Sequence, residues 1–332
     1  MTSTGWDVAR EAGVSQTTVS RTFRGDPRVA PKTRELVLEV ASRLGYTPDP
    51  IARGLVTRRS GVVAVVVADI TNPIYPALIT TLHEQLRTRE LRMMLFKERD
   101  DGASPHDVLD LATSAVDGIV FASATVESEV VARFAHRVPA VLISRDAPGV
   151  ELDKVLPDDD GGCRAVARHL VELGHRRIGM IAGSRYTSSG RGRVDLFRAA
   201  LDRLGVGLDD ELIRRGDSTY DSGAGCMNEL LDHSERPTAI FCASDTMAIT
   251  AMDVALRRGV RIPDDVSLVG FDDIPASGWA MIDLTTVRQP FEAMARDALD
   301  LLAKRMAGEG GPPQLHRHGV ELVPRGTTGK VE

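Results

Sequence analysis

A chain of 332 residues, 42% apolar and 27% charged, is long enough for two or three domains with buried cores and has an ordinary globular composition. No apolar run approaches the roughly 20 residues of a membrane span, and Asp7, Arg10 and Glu11 exclude a secretory leader over the first twenty residues. Cys163, Cys226 and Cys242 lie too far apart for a disulfide framework or zinc spacing, which fits a reducing, cytoplasmic compartment; the net charge of −6 divides into +4 up to Arg59 and −10 beyond it, so a small basic head suited to a polyanion precedes an acidic body.

The head reads as three short helices. Residues 6–12 form the first, Gly13 and Val14 a turn, and residues 15–23 the second, with Ser15 as its N-cap. Gly25, Asp26 and Pro27 break the pattern. Pro31 then opens a third helix with Leu36, Val37, Val40, Ala41 and Leu44 at helical spacing, closed by Gly45. Residues 46–59, with Pro48, Pro50 and Gly54, read as a linker holding a short helical stretch at 51–55. Three positions have steric reasons: Ala9 is small where two helices cross, Gly13 permits a positive φ, and Val19 packs the second helix onto the first. A helix-turn-helix of this kind sets Ser15, Gln16 and Thr17 at base edges in the major groove. There Gln pairs with adenine and Thr meets a thymine methyl, while Arg21, one turn on, reaches guanine or phosphate. A plain three-helix bundle with a polar surface fits the same residues.

Beyond Gly61, short β-branched runs (62–68, 92–96, 118–121, 141–144, 177–182, 239–243, 266–270) alternate with amphipathic stretches (76–90, 163–173, 193–204, 246–259). Such alternation predicts parallel sheets covered by helices on both faces, and this length suggests two of them with a cleft between. Ligands in doubly wound folds sit beyond the carboxyl ends of strands. A loop with Gly310, Gly311, Pro312 and Pro313 leads to a last apolar run at 320–323.

Asp7-Val-Ala-Arg-Glu-Ala-Gly-Val-Ser15, Thr18-Val-Ser-Arg21, Gly25-Asp-Pro-Arg-Val29, Lys32-Thr-Arg34 and Leu44-Gly-Tyr-Thr-Pro-Asp-Pro-Ile-Ala-Arg-Gly-Leu55 resemble the head of the lactose-repressor/galactose-repressor family. His169-Leu-Val-Glu-Leu-Gly-His-Arg-Arg-Ile178, Ala243-Ser-Asp-Thr-Met-Ala248, Gly270-Phe-Asp-Asp273 and Leu284-Thr-Thr-Val-Arg-Gln-Pro290 carry the resemblance through the body. It implies a dimeric repressor, not an enzyme, that binds a pseudo-palindromic operator in double-stranded DNA. Its implied control is a small-molecule effector (a sugar, sugar phosphate or related metabolite), with no cofactor, metal or membrane. The implied order is an all-α helix-turn-helix head (1–46), a hinge (47–60) and a two-lobed α/β body (61–332) similar to periplasmic sugar-binding proteins. The first lobe would span about 61–157 and 289–314, and the second about 158–288 and 315–330. By position, Thr18 and Arg53 join the DNA-contacting set, and Leu55 wedges into the minor groove from a hinge helix formed on DNA. Arg24 stands where the family commonly has Asn and adds a phosphate contact, or is simply an exposed arginine. Gly54 costs a helix about 1 kcal/mol relative to Ala, so the hinge is expected to be unfolded off DNA.

The resemblance also implies a cleft lined by Tyr75, Ser144, Arg193, Ser218, Ser244 and Asp272, with Phe291 at the lobe junction. Arg193 and Asp272, expected on opposite lobes, would both bond ligand hydroxyls and convert affinity into closure; otherwise they are a surface ion pair. Tyr75 would stack on a ring face or fill a core. Ser144 stands where a sugar-binding Asp is frequent, Ser244 where Asn is usual and Ser218 where an aromatic often sits, a polarity suited to a phosphorylated, acidic or bulkier ligand. The eight histidines are scattered, 183–190 lacks the lysine of a phosphate loop, and Asp158, Asp159 and Asp160 read as a solvated crossover loop. A receptor or enzyme on the same body would need an export signal or a nucleophile–base set; neither is legible.

Overall fold

The computed structural model describes residues 3–23, 25–46, 59–97, 115–122, 128–185 and 187–331. Two compact units result, Met1–Gly61 and Val62–Glu332. The expectations for Arg24, Arg53, Leu55 and the hinge at 47–58 lie outside the described residues.

The head contains α1 (Gly5–Glu11), α2 (Gln16–Phe23) and α3 (Pro31–Arg43). Thr4 and Asp7 form a capping box on α1, and the Ser15 hydroxyl accepts from the Thr18 N–H at 3.1 Å, the predicted N-cap of α2. Gly13 takes φ 64° in the tight turn, as its position requires. Val8, Ala9, Ala12, Val19, Val37, Val40 and Ala41 make the core, and the rings of Phe23 and Tyr46 meet edge-on at 5.7 Å. Leu36, expected inside, is exposed; Val37, Val40 and Ala41 carry the buried stripe of α3.

The body has two parallel-sheet α/β lobes. The first sheet is built from β1 (Val62–Val67), β2 (Arg92–Lys97), β3 (Gly118–Phe121), β4 (Ala140–Ile143), β5 (Asp153–Pro157) and β11 (Leu315–His318), in the order β11-β5-β4-β3-β1-β2. Every pairing in it is parallel. The run Val62-Val-Ala-Val-Val-Val67 is apolar throughout because both faces are covered. Val63, Val65 and Val67 pack toward α4 (Ile74–Thr88) and α10 (Phe291–Met306), whereas Ala64 and Val66 join the opposite cluster with α5 (Ser128–Ala135).

The second sheet comprises β6 (Ile178–Ala182), β7 (Ile213–Arg215), β8 (Ala239–Cys242) and β9 (Ser267–Val269), in the order β7-β6-β8-β9. Around it lie α6 (Asp159–Glu172), α7 (Ser188–Asp202), α8 (Tyr220–Leu231) and α9 (Asp245–Arg257). Phe197, Phe241 and Phe271 form an aromatic column at its centre. A two-stranded antiparallel ribbon joins β10 (Thr286–Arg288) to β12 (Glu321–Val323). One boundary needs correcting: 315–318 was expected in the second lobe, but β11 pairs with β5 in the first sheet, and the crossing follows His318. Among the described residues no helix is long and apolar enough to cross a membrane.

Candidate functional site

On the head, Gln16, Thr17 and Arg21 are exposed along one side of α2, while Val19 and Thr22 are buried on the other. The first turn of α2 carries no acid, so the positive end of its dipole is not neutralised there. Ser15 and Thr18 are already engaged with each other, hydroxyl to hydroxyl at 2.9 Å, and Thr18 is half-buried. Arg21 lies 3.9 Å from Asp26, whose carboxyl is held well below its usual range by hydrogen bonds from the Arg28 guanidinium and backbone.

In the body, loops after β1, β4, β6, β7, β8 and β9 border a cavity of about 300 Å³ between the lobes. These are strand carboxyl ends, where this type of sheet leaves helix N-termini and free loop backbone. Tyr75, Ser144, Arg193, Ser218, Ser244 and Asp272 all line it. Phe291 does not: it opens α10 and packs against the first-lobe core, since a helix start there faces the sheet rather than the cleft.

Arg193 and Asp272 depart from expectation. Arg193 projects from α7 and Asp272 follows β9, so both belong to the second lobe and neither is on the surface, being 5% and 3% exposed. The Arg193 guanidinium donates to the Ala243 carbonyl at 2.7 Å and to Asp159 through Nη2 at 2.9 Å and Nε at 3.1 Å, and lies over the Phe271 ring at 3.6 Å. It approaches Asp272 to 3.8 Å. Burial opposes the Arg193 charge, but Asp159 and Asp272 outweigh that and raise its pKa. Burial pushes the Asp272 carboxyl up to about 8 despite that neighbour, and Asp272 accepts a 2.7 Å hydrogen bond from Gln289 Nε2.

Asp159, read as part of a solvated loop, is thus the main counter-ion of Arg193, and Asp158 caps α6 by accepting from the Gly161 N–H at 3.0 Å. Gln289 was also missed; its signal is its place just after the Thr-Thr-Val-Arg strand at a crossing between lobes. Asn72 was missed too. Its Oδ1 accepts from Thr246 Oγ1 at 3.4 Å, and the Asp146 N–H donates to Ser188 Oγ at 3.1 Å, so both contacts reach from the first lobe to the second.

Two features mark the cavity as built for an occupant. Ser144, Ser218 and Asp272 hold φ of 67°, 70° and 133°, where a non-glycine residue is strained. Ser144 Oγ, Arg145 Nη1 and Gln289 Oε1 are buried without a hydrogen-bond partner among the described residues. Ser244 caps α9 through the Met247 N–H at 3.4 Å, and Tyr75 belongs to the first-lobe core while also facing the cavity. His169 and His175 lie away from this wall, bonded to Thr328 and to Thr238, Ser267 and Gly329.

Comparison with known proteins agrees with this organisation. A model of bacterial regulatory proteins of the lacI family matches residues 6–49, and one of a periplasmic binding protein-like domain matches residues 167–328. The HTH-type transcriptional regulator CelR of Thermobifida fusca is 37% identical over 92% of this chain and 92% of its own length. A solved transcriptional regulator CelR–cellobiose complex matches with a TM-score of 0.74 at 34% identity, covering 98% of this chain and 99% of that one. A lac repressor dimer bound to operator and the anti-inducer ONPF reaches 0.86 at 27% identity, covering 99% and 100%.

Proposed function

The chain belongs to the lacI family of bacterial regulatory proteins, DNA-binding transcriptional regulators with an effector-binding domain, and from that premise we propose that it is a cytoplasmic, dimeric repressor controlled by a sugar-type effector in the interlobe cavity. The observation that carries the effector reading is the coincidence of unpartnered buried polar atoms with left-handed serines around a single cavity. A hydroxylated ligand satisfies such atoms: Gln289 Oε1 accepts from a hydroxyl, and Asp272 accepts or donates according to its protonation. The sugar class is supported by the cellobiose bound to CelR and by the ONPF bound to the lac repressor.

Ligand contacts on both walls add to hydrogen bonds that already cross the cleft, Thr246–Asn72 and Asp146–Ser188 among them, so occupancy favours the shut arrangement over the open one. In a dimer, a shift between the first lobes alters the spacing of the two heads and the folding of the hinge, and thereby operator affinity. At the head, Gln16 and Thr17 read base edges, Arg21 meets guanine or phosphate and Arg24 adds a phosphate contact. Ser15 and Thr18 shape the helix start, and Leu55, with Arg53, engages the minor groove.

The test joins two measurements on the full-length protein. Gel-shift titration with operator fragments, repeated after deletion of residues 1–59, is expected to lose all specific binding with the head. Persistence of specific binding would overturn the DNA assignment. A thermal-shift screen of mono- and disaccharides is expected to find a ligand that both stabilises the body and changes operator affinity. A ligand that stabilises the body without altering operator affinity would refute the coupling.

A further inference from the structure

We propose that Asp26 is a positioning residue for operator recognition: it holds the Arg28 guanidinium, in the turn after α2, as a preset fork that reads one guanine in each half-site. This rests on the DNA-binding reading of the head and adds a reader to it. The backbone of the turn is tied down from both sides. Gly25 takes φ 70°, the Asp26 N–H donates to the Arg21 carbonyl at 3.1 Å, and the buried Val29 donates its N–H to the Asp26 carbonyl at 3.2 Å. From α3, Arg34 Nη2 donates to that same carbonyl at 2.8 Å. The Arg28 side chain is held as well. Asp26 Oδ1 accepts from the Arg28 N–H at 3.0 Å and from Nε at 2.9 Å, and Oδ2 accepts from Nη2 at 2.7 Å. The carboxylate thus takes the Nε–Nη2 edge of the guanidinium. It leaves the Nη1–Nη2 edge turned away, on a side chain that is 73% exposed.

Stability does not explain this pair, because so exposed an ion pair adds little to folding. A phosphate anchor fits poorly too: an acid held against the cation cancels the charge by which a phosphate is bound. The hydrogen-bonding pattern of the guanidinium survives that cancellation. Two N–H groups in one plane match the N7 and O6 acceptors of guanine in the major groove. An arginine that reads a base must give up side-chain freedom, and Asp26 has already ordered this one before DNA arrives. Asp26 also places the fork. The same Oδ2 lies 3.9 Å from Arg21 Nε, so Arg28 stands beside the side of α2 on which Gln16, Thr17 and Arg21 are exposed.

The experiment selects binding sites from a randomised duplex with the full-length protein, then measures gel-shift affinities for the enriched duplex and for a random one. Arg28→Gln is expected to relax preference at one position per half-site. It is also expected to weaken binding to the enriched duplex roughly ten- to hundredfold relative to the random duplex. Asp26→Asn tests the sign. If charge alone acts, removing an acid near a polyanion strengthens binding to both duplexes. Loss of positioning instead weakens binding to the enriched duplex roughly two- to tenfold, while affinity for the random duplex holds or rises. The double variant is expected to bind the enriched duplex no more weakly than Arg28→Gln alone, since Asp26 acts through Arg28. Unchanged or tighter binding of the enriched duplex by Asp26→Asn overturns the proposal, as does a double variant weaker than Arg28→Gln. So does a wild-type base preference in Arg28→Gln, or equal weakening on both duplexes in either single variant, the mark of a phosphate contact or an unfolded head. Should the wild type enrich no sequence at all, the DNA-binding reading itself fails.

Discussion

Replacing Asp272 by Asn tests the electrostatics of the cleft most sharply. Burial lifts the Asp272 carboxyl to about 8, against about 3.9 in an unfolded chain. Between those values the folded protein binds a proton that the unfolded chain has released, so stability falls as pH rises from about 4 to 8. One pH unit is worth about 1.4 kcal/mol, and at pH 7 the interval is roughly three units, so the carboxyl costs on the order of 4 kcal/mol there. Asn has the same shape, keeps an oxygen for Gln289 Nε2 and carries no charge to lose. Asp272→Asn is therefore expected to raise the melting temperature of the body at pH 7 by several degrees, with a gain that vanishes near pH 4 and levels off above pH 8. The same variant is expected to lose its effector response. The assay is calorimetric unfolding of wild type and variant from pH 4 to 9. Parallel curves across that range would refute the reasoning, because they would mean that Asp272 titrates alike in the folded and unfolded chain.

Other expectations concern the head, the hinge and the second core. Gln16→Ala is expected to cost about 1–3 kcal/mol of specific binding and to relax base preference at one operator position, read by selection from a randomised half-site. Leu55→Ala is expected to weaken operator binding far more than binding to random DNA in competition gel shifts; equal weakening would exclude a wedge. Phe241→Ala, which empties the middle of the buried Phe197–Phe241–Phe271 column, is expected to cost about 3–5 kcal/mol by chemical denaturation.

The central strands β1, β3, β4, β6 and β8 were legible because they are covered on both faces, and an unbroken Val62-Val-Ala-Val-Val-Val67 has no other soluble use; the central β5, Asp-Lys-Val-Leu-Pro, was not. Two of the four edge strands in these sheets were not: β7 reads Ile-Arg-Arg and β11 Leu-His-Arg-His, sequences that a half-exposed strand tolerates and a loop tolerates equally well. The starts of α2 and α3 were readable from Ser15 and Pro31; the Thr4 cap that starts α1 at Gly5 was not read from the sequence. Six cavity residues followed from motif position. What position could not convey was partnership: Arg193 answers Asp159, 34 residues earlier, and shares its lobe with Asp272. Nor could polarity alone separate Gln289, a buried acceptor without a donor, from an ordinary solvated glutamine.

The hydrogen bonds Thr246–Asn72 and Asp146–Ser188 have a consequence for dose response. Each is neutral and worth about 1 kcal/mol, close to RT, so neither commits the lobes to one arrangement. Threshold concentration then becomes an adjustable quantity that is separate from recognition. A single lost or gained strut shifts the half-maximal dose about fivefold while the ligand's fit and the operator's sequence stay the same. Small polar changes at 72, 188 or 246 thus offer evolution a dial for sensitivity that leaves the identity of the signal untouched.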